Sequence, residues 1–175
     1  MKSANLKSTT KLMAVLAIAA FDVCGEETIR TANSPERRRI VVSVPDRKLV
    51  LLEGERVLRI YDVAVGKPST PTPQGKFAII NRVSNPTYYA PSGVVAPGKG
   101  NPLGSRWMGL SAKGYGIHGT NVASSIGKAA SHGCIRMRKQ DLEEIFQMVT
   151  VGTTVELQGE HSEMLSKILS EAVSE

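Results

Sequence analysis

Apolar residues recur along the chain at two periods, and the alternating one dominates. From Arg39, "RIVVSV" places Ile40, Val42 and Val44 on one face, "VPDRK" is a turn, and "KLVLL" is a second strand. "EGER" is another turn, and "VLRIYDVAVG" is a long third strand closed by Gly66. Two hairpins in series predict a meander. "KPSTPTPQG", Lys67 to Gly75, carries Pro68, Pro71 and Pro73 and excludes a helix or a central strand. "KFAIINRV" after it is strand-like, short strands follow at "WMGLS" and "YGIHG", and "GTTVELQ" reads as a further strand. The helical period appears clearly once, in "DLEEIFQMV", Asp141 to Val149. There Leu142, Ile145, Phe146 and Val149 make one apolar stripe, Asp141 is the expected N-cap and Glu144 completes a capping box.

Two segments break both periods. From Ser84 to Arg106 the chain reads "SNPTYYAPSGVVAPGKGNPLGSR", a stretch without periodicity that suits a lid or binding loop, with Tyr88 and Tyr89 at its centre able to stack on a ligand. The tail, residues 159–175, is weakly amphipathic through Met164, Leu165, Ile168 and Leu169, and reads as a terminal helix on the domain or a mobile tail. The pattern as a whole predicts a mainly β domain, a sandwich or partly open barrel, with one core helix and one long loop.

The first 25 residues differ from the rest. Lys2, Lys7 and Lys11 precede an uninterrupted apolar run from Leu12 to Phe21, which is the pattern of a secretory signal and too short for a transmembrane span. Residues 1–25 are therefore read as a signal peptide, 26–38 as a polar linker, and the chain as exported to the periplasm or cell wall. Cleavage after Gly25 would remove Cys24 and leave Cys134 without a partner for an internal disulfide. It would also remove three lysines and Asp22, so the formal charge falls from +6 to +4. The remaining basic residues are scattered, with neither the aromatic interleaving nor the motif spacing of a nucleic-acid binder. An anionic polymer outside the cytoplasm is the better partner, and the protein is expected to lie peripheral to the wall.

Composition does not explain why a single cysteine sits in "SHGCIRM", Ser131 to Met137, downstream of "GIHGT", Gly116 to Thr120. A thiol becomes an effective nucleophile when ionised, and a nearby histidine supplies the base. His132 and His118 are both candidates. Gly133 permits an unusual turn that aims the amides of Gly133 and Cys134 into a site as an oxyanion hole. Two plainer readings compete: an inert buried cysteine, and a zinc site of His118, His132 and Cys134, which lacks a fourth ligand and any further zinc motif. No cofactor or metal is expected.

"GIHGT" followed by "ASHGCIRM" closely resembles the signature of the L,D-transpeptidase catalytic domain (YkuD-type), a family of bacterial cell-wall cross-linking enzymes. "STPTPQGKF", Ser69 to Phe77, and "NPLGSRWMGL", Asn101 to Leu110, resemble two further family blocks in the same order, so the resemblance covers about residues 39–158. It implies a β-sandwich of mixed sheets with a helix beside the catalytic strand. By position it makes Cys134 the nucleophile and His118 the base; the family's third member is a serine side chain or a backbone carbonyl directly after that histidine, and Gly119 leaves only the carbonyl to hold the imidazole tautomer. It places His132 and Gly133 in the catalytic loop. Arg136 matches a motif variant suited to a substrate carboxylate, and Ser131, Tyr88 and Tyr89 complete the candidate binding set.

The implied reaction is acyl transfer from a peptidoglycan tetrapeptide stem to a second stem, giving a 3 to 3 cross-link, with inactivation by carbapenems through Cys134. Water as acceptor would make an L,D-carboxypeptidase, and a protein amine would give anchoring to the wall. A non-catalytic wall-binding module would keep the fold and tolerate loss of Cys134.

Overall fold

The computed structural model describes residues 38–173; the expected signal peptide, nearly all of the linker, and Cys24 lie outside them. Eleven strands and two α-helices follow in the order β1 (Arg38–Ser43), β2 (Lys48–Glu53), β3 (Arg56–Gly66), β4 (Gly75–Ser84), β5 (Tyr88–Ala90), β6 (Gly93–Val95), β7 (Arg106–Leu110), β8 (Gly116–His118), β9 (Ala129–Ser131), β10 (Ile135–Met137), α1 (Lys139–Met148), β11 (Thr154–Gln158) and α2 (Glu163–Val173).

The meander forms as β1, β2 and β3, antiparallel throughout. Two long strands then serve two sheets each. The early part of β3 pairs with β2, whereas Val63 and Ala64 pair with β10 and Val65 and Gly66 with β9. Likewise β4 pairs with β11 from Gly75 to Ala78 and with β7 from Ile79 onward. One sheet therefore runs β4-β11-β1-β2-β3 and the other β4-β7-β8-β10-β3, and they meet along both shared strands. Register breaks near Leu51 against β3 and near Ile79 against β7 mark irregularities where the shared strands change partners or bend, as at the corners of other packed sheets. Parallel pairing of β1 with β11 and of β8 with β10 makes both sheets mixed. The result is a mainly β fold with one helix against the core.

That core lies between the sheets, around Ile40, Val42, Leu49, Leu51, Val63, Ile117, Ile135 and Met137, and α1 adds Leu142, Ile145 and Phe146. A second, smaller cluster sits on the outer face of the meander. Val41, Val50 and Leu52 pack there against Leu165 of α2, so β1 and β2 are apolar on both faces. The N-terminus of α2 is tied to the β1–β2 turn through Asp46, whose carboxylate accepts the Ser162 N–H at 3.2 Å and lies 2.5 Å from His161 Nδ1.

The start of α1 differs from the sequence expectation. The helix begins at Lys139 with Arg138 as N-cap, and the Leu142 N–H already donates to the Arg138 carbonyl at 2.9 Å. Asp141 is therefore inside the first turn and caps nothing, although its charge still suits the helix N-terminus. Glu144 makes no capping box; its carboxylate accepts from Arg59 Nε at 2.6 Å and from the Tyr61 hydroxyl at 3.1 Å, tying α1 to β3. At the other end of α1, the Arg38 guanidinium donates to the Met148 carbonyl at 2.8 Å, and Arg82 to that of Phe146.

The Ser84–Arg106 loop is not structureless. It carries the hairpin β5–β6, with Tyr88 opposite Val95 and Tyr89 opposite Val94. Its organiser is Asn101, 1% exposed, whose amide donates to the carbonyls of Pro86, Val95 and Ala96 and whose oxygen accepts the Leu103 N–H. Among the described residues no helix is long and apolar enough to cross a membrane.

Candidate active site

β8 and β10 run parallel and adjacent, with Ile117 opposite Ile135 and His118 opposite Arg136. This register carries His118 at the end of one strand to the start of the other, where Cys134 immediately precedes Ile135. His118, Cys134, His132, Ser131 and Arg136 all line one cavity of about 730 Å³. Its opposite wall comes from the hairpin loop, including both Tyr88 and Tyr89; Tyr88 is half-buried and Tyr89 is 77% exposed. Residues 40 or more positions apart in sequence are thus gathered in one cleft.

His118 is 6% exposed, and its Nδ1 lies 2.6 Å from the carbonyl oxygen of Gly119. A carbonyl can only accept, so in the neutral ring Nδ1 bears the proton and Nε2 keeps a lone pair. Burial pushes the imidazole pKa down to about 4, partly opposed by the Gly119 bond and reinforced by the Arg136 guanidinium. Gly119 itself has no room for a side chain. A Cβ there would stand 2.9 Å from the Gly104 Cα and 3.0 Å from the Leu103 carbonyl, to which the Gly119 N–H donates at 2.8 Å. A serine at this position would collide with the loop that forms the cavity wall.

The Cys134 thiol is partly exposed and donates a weak hydrogen bond to the Gly114 carbonyl, with sulfur to oxygen 3.8 Å. Burial raises its pKa, while the Gly116 backbone N–H and the Arg136 charge pull in the other direction. Near neutral pH the pair therefore rests as uncharged thiol and uncharged imidazole. Arg136 places a cation in the cavity that is an evident partner for a carboxylate.

The turn before Cys134 corrects one expectation. The Gly133 N–H is not aimed into the cleft; it donates to Ser131 Oγ at 2.9 Å, while that hydroxyl donates to the Cys134 carbonyl at 2.6 Å. Ser131 thereby closes the turn from inside and takes up the amide. Gly133 is still required, because its φ of +108° is unfavourable for any side chain and a Cβ would meet the Tyr115 ring at 2.5 Å. The Ser131 carbonyl in turn accepts from the Lys67 N–H at 3.1 Å and the Thr70 hydroxyl at 3.2 Å, anchoring the turn to the proline-rich segment.

Other contributors were not legible beforehand. Trp107, Leu103, Pro102 and Gly114 line the same cavity, and Tyr115 props the Gly133 turn. The third histidine, His161, sits against Asp46 beside α2, and among the described residues no cluster of three or more His, Cys, Asp or Glu side chains is placed to hold a metal.

A cysteine and a buried histidine thus share one cavity at the ends of two parallel strands, beneath a hairpin loop. Residues 37–157 match the family model of the L,D-transpeptidase catalytic domain, YkuD, and the chain belongs to that family. It is 46% identical over 119 residues to a Bacillus licheniformis protein named as an L,D-transpeptidase, YkuD, covering 68% of this chain and 64% of that protein. It is 40% identical over 121 residues to a Bacillus subtilis protein named as an L,D-transpeptidase, YqjB, covering 66% and 68%. Among solved structures, an L,D-transpeptidase of Enterococcus faecium superposes with a TM-score of 0.59 at 26% identity, covering 70% of this chain and 50% of that one. The chain thus spans about two thirds of the length of these curated relatives.

Proposed function

We propose that this protein is an L,D-transpeptidase that acts on peptidoglycan tetrapeptide stems through a thioester on Cys134. The observation that carries the reading is the His118 Nδ1 to Gly119 carbonyl bond of 2.6 Å, which fixes the basic nitrogen on the far side of the ring in a cavity shared with Cys134 and Arg136.

The steps follow from the resting charges. Because thiol and imidazole are both neutral, the nucleophile forms when His118 Nε2 accepts the Cys134 proton as the sulfur attacks the carbonyl of the third stem residue. The developing oxyanion is met by the amides of Cys134 and His132, since that of Gly133 is committed to Ser131. The imidazolium then protonates the departing amine of the terminal D-alanine, leaving a thioester and neutral His118. A side-chain amine of the acceptor stem attacks the thioester, passes its proton to His118, and releases the 3 to 3 cross-link; the proton returns to sulfur. Arg136 binds a stem carboxylate. The hairpin loop with Tyr88 and Tyr89 covers the thioester and disfavours water, whose attack would give carboxypeptidase products instead. This reading needs no metal or cofactor. It places the domain, residues 39–158, outside the cytoplasm against the wall, after removal of residues 1–25.

Purified protein incubated with defined tetrapeptide muropeptides is expected to give cross-linked dimers and a transient mass increase equal to the stem less D-alanine. Cys134→Ala should give neither. A carbapenem should add its full mass to the wild type and none to the variant. Cross-linking that survives Cys134→Ala would overturn the assignment.

A further inference from the structure

The indole of Trp107 lies against the imidazole of His118. Their ring centroids are 5.6 Å apart with planes inclined by 24°, an offset stack between residues directly opposite on β7 and β8. Three features hold the indole there. Its Nε1–H donates to Asn81 Oδ1 at 3.0 Å, and the same oxygen accepts the Gly109 N–H at 3.2 Å. A Cβ on Gly109 would stand 2.5 Å from that Asn81 oxygen and 2.9 Å from the indole nitrogen. A Cβ on Gly116 would stand 2.5 Å from the far edge of the indole. Two glycines on neighbouring strands therefore clear a slot for the ring, and a side-chain amide pins it in place.

The need for such a support follows from how His118 is held. Among the described residues its imidazole makes one hydrogen bond, to the carbonyl of the next residue, which fixes one ring nitrogen but does not by itself fix the ring plane. Gly119 offers no side chain to restrain the ring, and the Gly104 backbone leaves no space for one. A flat surface against the imidazole face supplies the missing restraint.

We propose that Trp107 is the positioning residue that completes the His118 arrangement, holding the imidazole plane so that its free nitrogen stays directed at the Cys134 sulfur, with Asn81 as the pin. The inference rests on the reading of His118 as the base. Trp107 acts through His118.

The arrangement has its own reporter, because Trp107 is the one tryptophan of the 175-residue chain. A protonated imidazole in contact quenches indole emission. The other titratable or charged groups lining the cavity are Cys134, Arg136, His132, Tyr88 and Tyr89. In the wild-type protein the emission should fall on acidification, with the same midpoint as the acid limb of Cys134 alkylation by iodoacetamide. The step should vanish in His118→Gln and persist in His132→Gln.

Trp107→Leu should slow Cys134 alkylation and lower kcat by about tenfold or more with KM unchanged, as expected for a misdirected base. Trp107→Phe should recover most of the loss. Asn81→Ala, at an exposed position, should give a smaller loss of about threefold that Asn81→Asp restores by keeping the acceptor oxygen. Wild-type alkylation rates in both Trp107→Leu and Asn81→Ala would overturn the proposal, as would an emission step that survives His118→Gln. Alkylation and emission need no muropeptide, so failure of the transpeptidase reading would show as absent turnover with both of these signals intact.

Discussion

Replacing His118 by glutamine should flatten the pH dependence of folding stability. The buried imidazole has a pKa of about 4 against an ordinary 6.5, so between these values the unfolded chain binds a proton that the folded chain refuses. The sign follows directly: the stabilising contribution is fully present above pH 6.5, is lost as pH falls toward 4, and does not change further below that. A displacement of 2.5 pKa units corresponds to about 3.4 kcal/mol at 1.36 kcal/mol per unit. Between pH 7.5 and 4.5 the expected loss is about 2.5 kcal/mol, a large share of the total stability of an ordinary domain. Asp46, Asp62 and Glu144 also have lowered pKa values through their hydrogen-bonded partners, but carboxylates lose their contribution below about pH 4.5 and leave the upper window to His118. Glutamine can still donate to the Gly119 carbonyl and does not titrate. Urea unfolding followed by circular dichroism at pH 7.5, 6.5, 5.5 and 4.5 gives the stability difference between wild type and His118→Gln. That difference should shift by about 2.5 kcal/mol in favour of the variant across the range. Parallel curves, within about 0.5 kcal/mol, would refute the claim that the imidazole is held neutral by burial.

Three further outcomes are expected. Gly133→Ala forces a side chain into φ +108° and against the Tyr115 ring, so it should cost about 2–3 kcal/mol and lower the melting temperature by about 5–10 °C in calorimetry; an unchanged melting point would contradict the described turn. Asn101→Ala removes the four hydrogen bonds that organise the hairpin loop, and limited proteolysis should then cut within residues 84–106 about tenfold faster while the rest of the domain resists; equal cleavage rates would show that the loop is held by other means. Leu165→Ala should cost about 2–4 kcal/mol in denaturant unfolding and increase binding of a hydrophobic dye to the uncovered meander, whereas a neutral effect would mean that α2 is not a structural part of the domain.

The sequence made the meander legible because alternation, turns and chain length agreed over β1 to β3, and the α1 stripe was legible for the same reason. Its start was not, since Asp141 is a good cap by composition while Arg138, immediately after β10, is the extended N-cap and the helix begins at Lys139. Strands β9 and β10 have three residues each, too few to show any period, and they exist because β3 supplies their hydrogen-bond partners. Burial of Val41 and Val50 on the face opposite the core could not be inferred from alternation; it depends on α2, more than one hundred residues downstream. In the site, Cys134 and His118 were marked by their chemistry and local motif. Ser131 hid its role because the hydroxyl's capture of the Gly133 amide is a matter of turn geometry, and Trp107 hid because a cross-strand stack needs the register of β7 on β8.

Strand β10 joins β8 to β3 in the circuit of strands. Until it docks between β8 and β3, whose Ala64 lies about seventy residues before its partner Arg136, Cys134 has no fixed relation to His118. A partly unfolded chain therefore carries Cys134 apart from His118, and the two share one cavity with Arg136 only once the circuit has closed.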